Sequence, residues 1–428
     1  MSRDLVGATI ASISFIFVMN SIGSLIGCFL TGAVLDRLPN SRYLFLASML
    51  VVLGVSNSCL PYSPSLAVMY ATCLLRGLVA GSLDTAGNVT LLKIWAGRDS
   101  GPYMHALHFS FGIGAFLAPV ISRPFLGNTG DSEVAGGNST QAAPAGAEEM
   151  GVWTVKALYP MVGSFAVLIS LAFVVLHIKE RKGSETEGKE EVKAVESKLS
   201  KGHTILIVAM ISILFFLYVG MEVAFGTYVS AFSVESKLQF TRQQVPSFLL
   251  FPPANMPVQG SDVTAVFWGT FATARGLAIF AAIVASPNLI MWGSFIISGL
   301  GALGLAIWGE TYPEALYLGA GLMGVGMASI FATGFLWVER RMVVTSRIVA
   351  SFTISSFAGA KIIPLVVGQI LEARPMAVLY LILATWAGCL AIFASATVVA
   401  ARGEQQARSR NYQESGTSET YQNQDIIQ

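Results

Sequence analysis

The sequence is poor in charge. Only 12% of its 428 residues are Asp, Glu, Lys or Arg, about half the share found in an average soluble domain. The formal net charge is +1, which provides no basic surface of the kind that binds nucleic acid. We therefore expect neither an ordinary soluble domain nor a nucleic-acid partner.

Cysteine and histidine are also scarce, with four of each. The cysteines lie singly within apolar runs, which predicts packed free thiols rather than disulfides. His105 and His108 are one helical turn apart, but no HExxH motif or cysteine cluster supplies further metal ligands. The sequence therefore predicts no metal centre, and the lack of a paired nucleophile and base argues against an enzyme.

Hydrophobic sequence is abundant, at 54% of the residues. Apolar runs long enough to cross a bilayer as helices recur along the chain. They fall near 7–35, 43–61, 66–92, 102–126, 152–178, 204–233, 263–285, 288–308, 314–338, 347–371 and 376–400. We predict an all-α polytopic membrane protein with about eleven transmembrane helices, since a spanning helix satisfies its own backbone hydrogen bonds.

Two polar segments divide this pattern. The charged segment 179–203 predicts a cytoplasmic linker between an N-terminal bundle of about five spans (1–178) and a C-terminal bundle of about six (204–400). The segment 401–428 is rich in Gln, Ser, Glu and Asn, a composition that predicts a disordered tail.

The distribution of Lys and Arg predicts the orientation in the membrane. Seventeen of these residues lie on one side of the predicted spans and six on the other, so the first side is expected to be cytoplasmic, with the C-terminus. Asn138 begins an N-glycosylation sequon in a loop on the opposite side. An odd number of spans then places the N-terminus outside.

The two halves carry a faint internal repeat. The pattern G-A-x-x-x-P begins at Gly114 and again at Gly359, and the preceding spans align with a displacement of 247 residues. The aligned pairs include Gly77 and Gly324, Ser82 and Ser329, Asp84 and Phe331, and Gly87 and Gly334. Parallel repeats around a central site are one transporter architecture. Small-residue motifs such as Gly23 to Gly27 and Ala320 to Gly324 predict close helix packing.

Asp84 lies within an apolar run, where an acid costs about 2.5–3.5 kcal/mol on insertion scales. Asn88 follows four residues later and shares its helix face. A carboxylate beside an amide suits sugar hydroxyls or a cation. The leading hypothesis is that Asp84 couples the binding of a cation to the function of the protein. The alternative is an internal ion pair with Arg76, Arg275 or Lys361.

Other polar residues lie at similar depth. His108 could line a polar cavity or gate, or form an interhelical hydrogen bond without a transport role. Glu222 is flanked by glycines, which suggests a locally broken helix whose carbonyls line a cavity. Glu222 could bind substrate or cation, or it could form a structural pair with Arg275 or Lys361.

Several motifs resemble a known family. The loop GAVLDRLPNSR, with Gly32, Asp36 and Arg37, looks like the G-x-x-x-D-R-x-G-R-R gating loop of the major facilitator superfamily, although Pro39 and Asn40 depart from it. LDTAGN, which contains Asp84, resembles the acidic-Thr-Ala-x-Asn signature of the fucose–proton symporter family. ALHFSFGIGAF and FLYVGME look closer still to its animal sodium-dependent glucose transporter branch.

The resemblance implies a two-bundle transporter of twelve helices, with the first helix absent from this chain. It implies sodium-coupled hexose symport by alternating access across a membrane, expected to be the plasma membrane, with Asp84 serving coupling. No cofactor is expected besides the coupling ion, Na⁺ or H⁺, which the residues do not distinguish. The alternatives are a facilitative pathway or channel for a small neutral solute, and a transport-incompetent truncated binding protein.

Overall fold

The computed structural model describes residues 10–38, 41–122, 145–186, 199–238, 260–371 and 373–425, and these form helices with no strand among them. In chain order the helices are α1 (Ile10–Val34), α2 (Arg42–Cys59), α3 (Leu66–Ile94), α4 (Gly101–Ser122), α5 (Ala145–Thr186), α6 (Lys201–Glu235), α7 (Gly260–Val284), α8 (Pro287–Trp308), α9 (Pro313–Met327), α10 (Ile330–Glu339), α11 (Ser346–Leu371) and α12 (Pro375–Asp425). Short 3₁₀ helices, Leu35–Arg37 and Leu60–Tyr62, follow α1 and α2.

Ten spans in the described ranges are long and apolar enough to cross a membrane. Helices α9 and α10 together form one of them, from Pro313 to Glu339. Helix α4, with 22 residues, is not among these ten, and with it the described ranges hold eleven long helical segments. The predicted all-α polytopic fold with about eleven spans is thereby confirmed.

The chain divides into two compact units. The first comprises Met1–Leu91 with Ser110–Glu190, and the second comprises Leu92–Phe109 with Glu191–Gln428. The sequence places Leu92–Phe109 in the N-terminal bundle, and the structure differs there. The first half of α4 packs with the second unit because Gly101 lies against Ala282 and the Phe109 ring lies against Gly276.

Two helices extend into segments predicted to be polar connections. Helix α5 continues to Thr186, so the start of the predicted linker 179–203 is helical. Helix α12 continues to Asp425 and includes most of the segment 401–428 for which the composition predicts disorder. Both helices are therefore longer than their apolar runs.

Glycines bring the helices of the first unit into close contact, as the small-residue motif predicts. A Cβ on Gly27 would collide with the backbone carbonyl of Leu78, and one on Gly81 would collide with that of Ser24. The contact joins α1 and α3, with Cys28 Sγ 3.4 Å from the Gly81 oxygen. Only glycine allows the two backbones to approach this closely.

The second unit repeats this packing. Gly324 on α9 lies against Thr270 and the Phe267 carbonyl of α7, whereas its aligned partner Gly77 on α3 lies against the Asn20 carbonyl of α1. In each unit the glycine therefore packs against the helix two places earlier in the chain. This shared contact supports the internal repeat inferred from the sequence.

The outer faces of many helices carry exposed aromatic and aliphatic side chains. Examples are Phe17, Phe165, Phe280, Val284 and Leu365. Exposed apolar side chains in this number are unfavourable in water and suit contact with lipid. The four cysteines are free, three of them buried and Cys59 exposed, so packing was correctly predicted for three.

Candidate functional site

In the first unit the candidate site is a face of α3. The helix runs unbroken from Leu66 to Ile94, and Asp84 lies beyond its midpoint, partly buried. Within the described part of this unit, the Asp84 carboxylate forms no hydrogen bond or ion pair. An acid left without a partner inside a span is a strong indication of a functional site.

Asn88 lies one turn further along the same face. Its Nδ2 donates to the backbone oxygen of Asp84 at 2.8 Å. Its Oδ1 is buried and accepts no hydrogen bond from the described residues. The face therefore offers carboxylate and amide oxygens together, which is the donor set that a hard cation or a hydroxyl group requires.

The proposed cationic partners of Asp84 have other surroundings. Arg76, on the same helix, interacts with the Cys73 thiol, and its buried Nε has no hydrogen-bond acceptor among the described residues. Arg275 lies beside Glu222 in the second unit. Lys361 is exposed on α11.

In the second unit the candidate site surrounds an interruption between α9 and α10. The α-helix ends at Met327 and resumes at Ile330, and the intervening Ala328 and Ser329 keep right-handed helical angles. The Tyr218 hydroxyl donates to the Met327 carbonyl at 2.7 Å, and Arg275 Nε donates to the Ala328 carbonyl at 3.1 Å. The carbonyls at the interruption are thereby satisfied inside the protein, as a span requires.

Glu222 completes this cluster. Its Oε2 lies 4.0 Å from Nη2 of Arg275, and both side chains are largely buried. Tyr218 and Glu222 are four residues apart on α6, so they share one face, and their side chains interact. Of the alternatives for Glu222, the structure shows the pair with Arg275 and not one with Lys361.

The broken helix predicted around Glu222 is wrong, because α6 is continuous from Lys201 to Glu235. The two flanking glycines provide close contacts instead. A Cβ on Gly220 would meet Ile363 of α11, and one on Gly226 would meet the Trp268 ring of α7. The glycines are thus explained by packing.

The two histidines of α4 lie near the same interruption. His105 is fully buried, with Nε2 3.4 Å from Thr333 Oγ1, a long hydrogen bond. His108 packs edge-to-face on Phe331 with the ring centroids 4.9 Å apart, and its buried Nε2 finds no partner among the described residues. No group of three or more His, Cys, Asp or Glu capable of holding a metal occurs in those residues.

Comparison with known proteins decides the family. The Major Facilitator Superfamily profile matches residues 3–287, which is more than half of the chain. The chain belongs to this superfamily. Among its relatives, sodium-dependent glucose transporter 1 of Homo sapiens is 31% identical over 377 residues, covering 85% of this chain and 67% of the relative. Sodium-dependent glucose transporter 1A of Mus musculus is 27% identical over 376 residues, covering 85% and 82%.

Solved structures agree on the fold. A crystal structure of an Escherichia coli fucose:proton symporter variant superposes with a TM-score of 0.66, covering 91% of each chain at 14% identity. At this identity the likeness shows the fold alone. As a superfamily member whose curated relatives are transporters, the chain belongs to a family of transporters and not of enzymes.

The superfamily loop motif lies where α1 ends. Gly32 is buried in the last turn of α1, whereas Asp36 and Arg37 are exposed in the 3₁₀ helix Leu35–Arg37. The predicted glycosylation residue Asn138 lies outside the described residues.

The sequence does not reveal the interruption at Ala328 and Ser329, since neither Gly nor Pro occurs there. Tyr218 is part of the FLYVGME motif, but nothing in that motif indicates that its hydroxyl binds a carbonyl of another helix. The i, i+4 spacing of Tyr218 and Glu222 is the one signal that could have suggested a joint role.

Proposed function

We propose that the protein is a secondary active transporter that carries a hexose together with sodium by alternating access. The names of the human and mouse relatives support sodium and glucose. For a symporter, bound solute and cation must together favour the transition between the two states, because otherwise no coupling arises.

The observation that carries this proposal is the Asp84 carboxylate. It lies inside a span without an ion-pair partner in the described part of its unit, beside an amide oxygen that is also unsatisfied. A sodium ion bound by these oxygens would neutralise the acid and so reduce the free-energy cost of enclosing it within the membrane during the conformational change. The acid would therefore link cation binding to the conformational change.

The positive-inside distribution of Lys and Arg supports a cytoplasmic C-terminus. We place the protein in the plasma membrane, because uptake driven by the sodium gradient requires a membrane that maintains one. Epitope accessibility in intact and permeabilised cells tests both proposals.

The decisive experiment is uptake of radiolabelled D-glucose into proteoliposomes that contain the purified protein. With the native protein, an inward sodium gradient should raise the internal glucose concentration above the external one, and with Asp84→Asn it should not. Asp99→Asn is the matched control, because it makes the same chemical change at an exposed residue and should leave accumulation intact.

Other outcomes distinguish the alternatives. Accumulation driven by an inward proton gradient, without sodium, would show that the coupling ion is H⁺ and not Na⁺. Flux that equilibrates glucose but never concentrates it would indicate a facilitative pathway. Absence of both fluxes, with binding retained, would indicate a binding protein.

A further inference from the structure

We propose that Glu222 and Arg275 form a subsite in the second unit that binds hydroxyl groups of the sugar, whereas the cation binds at Asp84. This inference rests on the proposed hexose transport and adds the residues that recognise the sugar. It follows from the geometry and charge of the pair.

Arg275 is held in one orientation by two contacts. Its Nε donates to the Ala328 carbonyl, and its Cζ lies 4.2 Å from the centroid of the Phe271 ring. A cation at the C-terminal end of α9 is also stabilised by the helix dipole. A guanidinium has five N–H groups. One is given to Ala328, and the guanidinium also interacts with the Tyr218 hydroxyl, so further N–H groups remain for a ligand beside Glu222.

The separation between the two charged groups fits a hydroxyl. Arg275 Nη2 and Glu222 Oε2 are 4.0 Å apart, which is beyond direct hydrogen-bond distance. A hydroxyl oxygen placed about 2.7–2.9 Å from both atoms would subtend an angle of about 90° between them. It could then donate its proton to Glu222 and accept one from Arg275, so a single sugar hydroxyl would bridge the pair.

The charge of the pair favours a neutral solute. One acid and one base at this distance carry no net charge, and Arg275 would repel a sodium ion placed beside Glu222. The backbone carbonyls of Met327 and Ala328, which could otherwise bind sodium, already accept hydrogen bonds. The second unit is therefore suited to a polyol, whereas the unpaired carboxylate of the first is suited to a cation.

Aromatic rings adjoin the pair, as in many sugar sites. Trp268 lies against Gly226, one turn from Glu222, and contacts Phe271 at a centroid distance of 5.4 Å. Trp268 is also partly exposed. An indole one helical turn from the acid offers an apolar surface for the C–H face of a sugar while the polar pair binds its hydroxyls.

The test measures binding of D-glucose and of its 2-, 3-, 4- and 6-deoxy analogues to the purified protein by calorimetry. Glu222→Asp keeps the charge that neutralises Arg275 but withdraws the carboxylate by one methylene. We expect it to weaken glucose binding about tenfold or more, the range for a hydrogen bond to a charged group. One deoxy analogue should bind the native protein and Glu222→Asp equally, because it lacks the hydroxyl concerned.

The matched control is Glu235→Asp, the same replacement at the exposed end of α6, which should leave all affinities unchanged. Equal weakening of glucose and every analogue would show a structural role and overturn the subsite, as would unchanged affinity in Glu222→Asp. Failure to bind any hexose by the native protein would overturn it as well.

The sodium dependence separates this inference from the proposed coupling. Glu222→Asp should raise the glucose concentration that gives half-maximal uptake and leave the corresponding sodium concentration unchanged. A change in the half-maximal sodium concentration alone would contradict the assignment. If the analogue pattern holds but no ion gradient drives accumulation, the subsite stands and the symport proposal fails.

Discussion

Helix α3 and the span formed by α9 and α10 occupy corresponding places in the two repeats, yet they differ in whether their polar groups have partners. Helix α3 is continuous and carries Asp84 with no partner in the described part of its unit. The α9–α10 span is interrupted, has Phe331 at the aligned position, and has the buried carbonyls of Met327 and Ala328 bound by Tyr218 and Arg275. The first span therefore leaves a carboxylate available to a ligand, whereas in the second the carbonyls at the interruption accept hydrogen bonds from within the protein.

This difference indicates how a repeated scaffold can acquire two functions. The aligned glycines Gly77 and Gly324 preserve the same helix contact in both units, so the backbone frame is shared. The residues that differ are those that would meet a solute or an ion. An unpaired acid costs free energy that only a bound cation offsets, whereas a paired acid and base can remain buried between transport events.

Removing one member of the buried pair should give the largest effect on stability. Arg275→Ala leaves the Glu222 carboxylate without a counter-ion and the Ala328 carbonyl without a donor. We expect a loss of about 3–5 kcal/mol in unfolding free energy, measured by thermal or denaturant unfolding in detergent. Replacing both partners together, with Glu222→Leu and Arg275→Met, should recover most of that loss.

Asp84→Asn is the contrasting control for this measurement, because no partner in the described part of its unit is lost. Its stability should be equal to or greater than that of the native protein although its coupled uptake is abolished. A large destabilisation by Asp84→Asn would show that the acid has a structural ion-pair partner, and the contrast between the two spans would then fail.

A smaller effect is expected at the glycine contacts that both units share. Gly81→Ala places a methyl group against the Ser24 carbonyl of α1, and the two helices must separate. Overpacking of this kind costs about 1–3 kcal/mol. Gly87→Ala, on the same helix, is the matched control, because no atom of the described residues lies within 4 Å of its Cβ position. Equal stabilities of the two variants would exclude close packing of α1 and α3.

The sequence predicts the spans, the repeat and the glycine contacts because each depends on local hydrophobicity or on the absence of a side chain. It does not predict the interruption at Ala328, which contains ordinary helix-forming residues and depends on donors from α6 and α7. The error at Glu222 has the same origin. Glycines beside an acid permit either a break or close packing, and only the neighbouring helices decide between them.

The smallest effect tests whether burial, rather than distance, distinguishes the charged pairs. Arg340 Nη2 lies 4.0 Å from Asp99 Oδ1, the same separation as between Arg275 and Glu222. The side chains of Arg340 and Asp99 are 51% and 53% exposed, against 8% and 13% for the buried pair. Water and salt screen the exposed pair, so Arg340→Ala should change stability by less than about 1 kcal/mol.

Double-mutant cycles on the two pairs complete this comparison. For Asp99 and Arg340 we expect a coupling free energy of about 0–1 kcal/mol that decreases further as salt is added. For Glu222 and Arg275 the coupling should be several times larger and independent of salt, because the low polarity around the pair leaves each charge dependent on the other. Equal coupling free energies would mean that water screens Glu222 and Arg275 as fully as it screens the exposed pair. Burial would then not distinguish the two charged pairs.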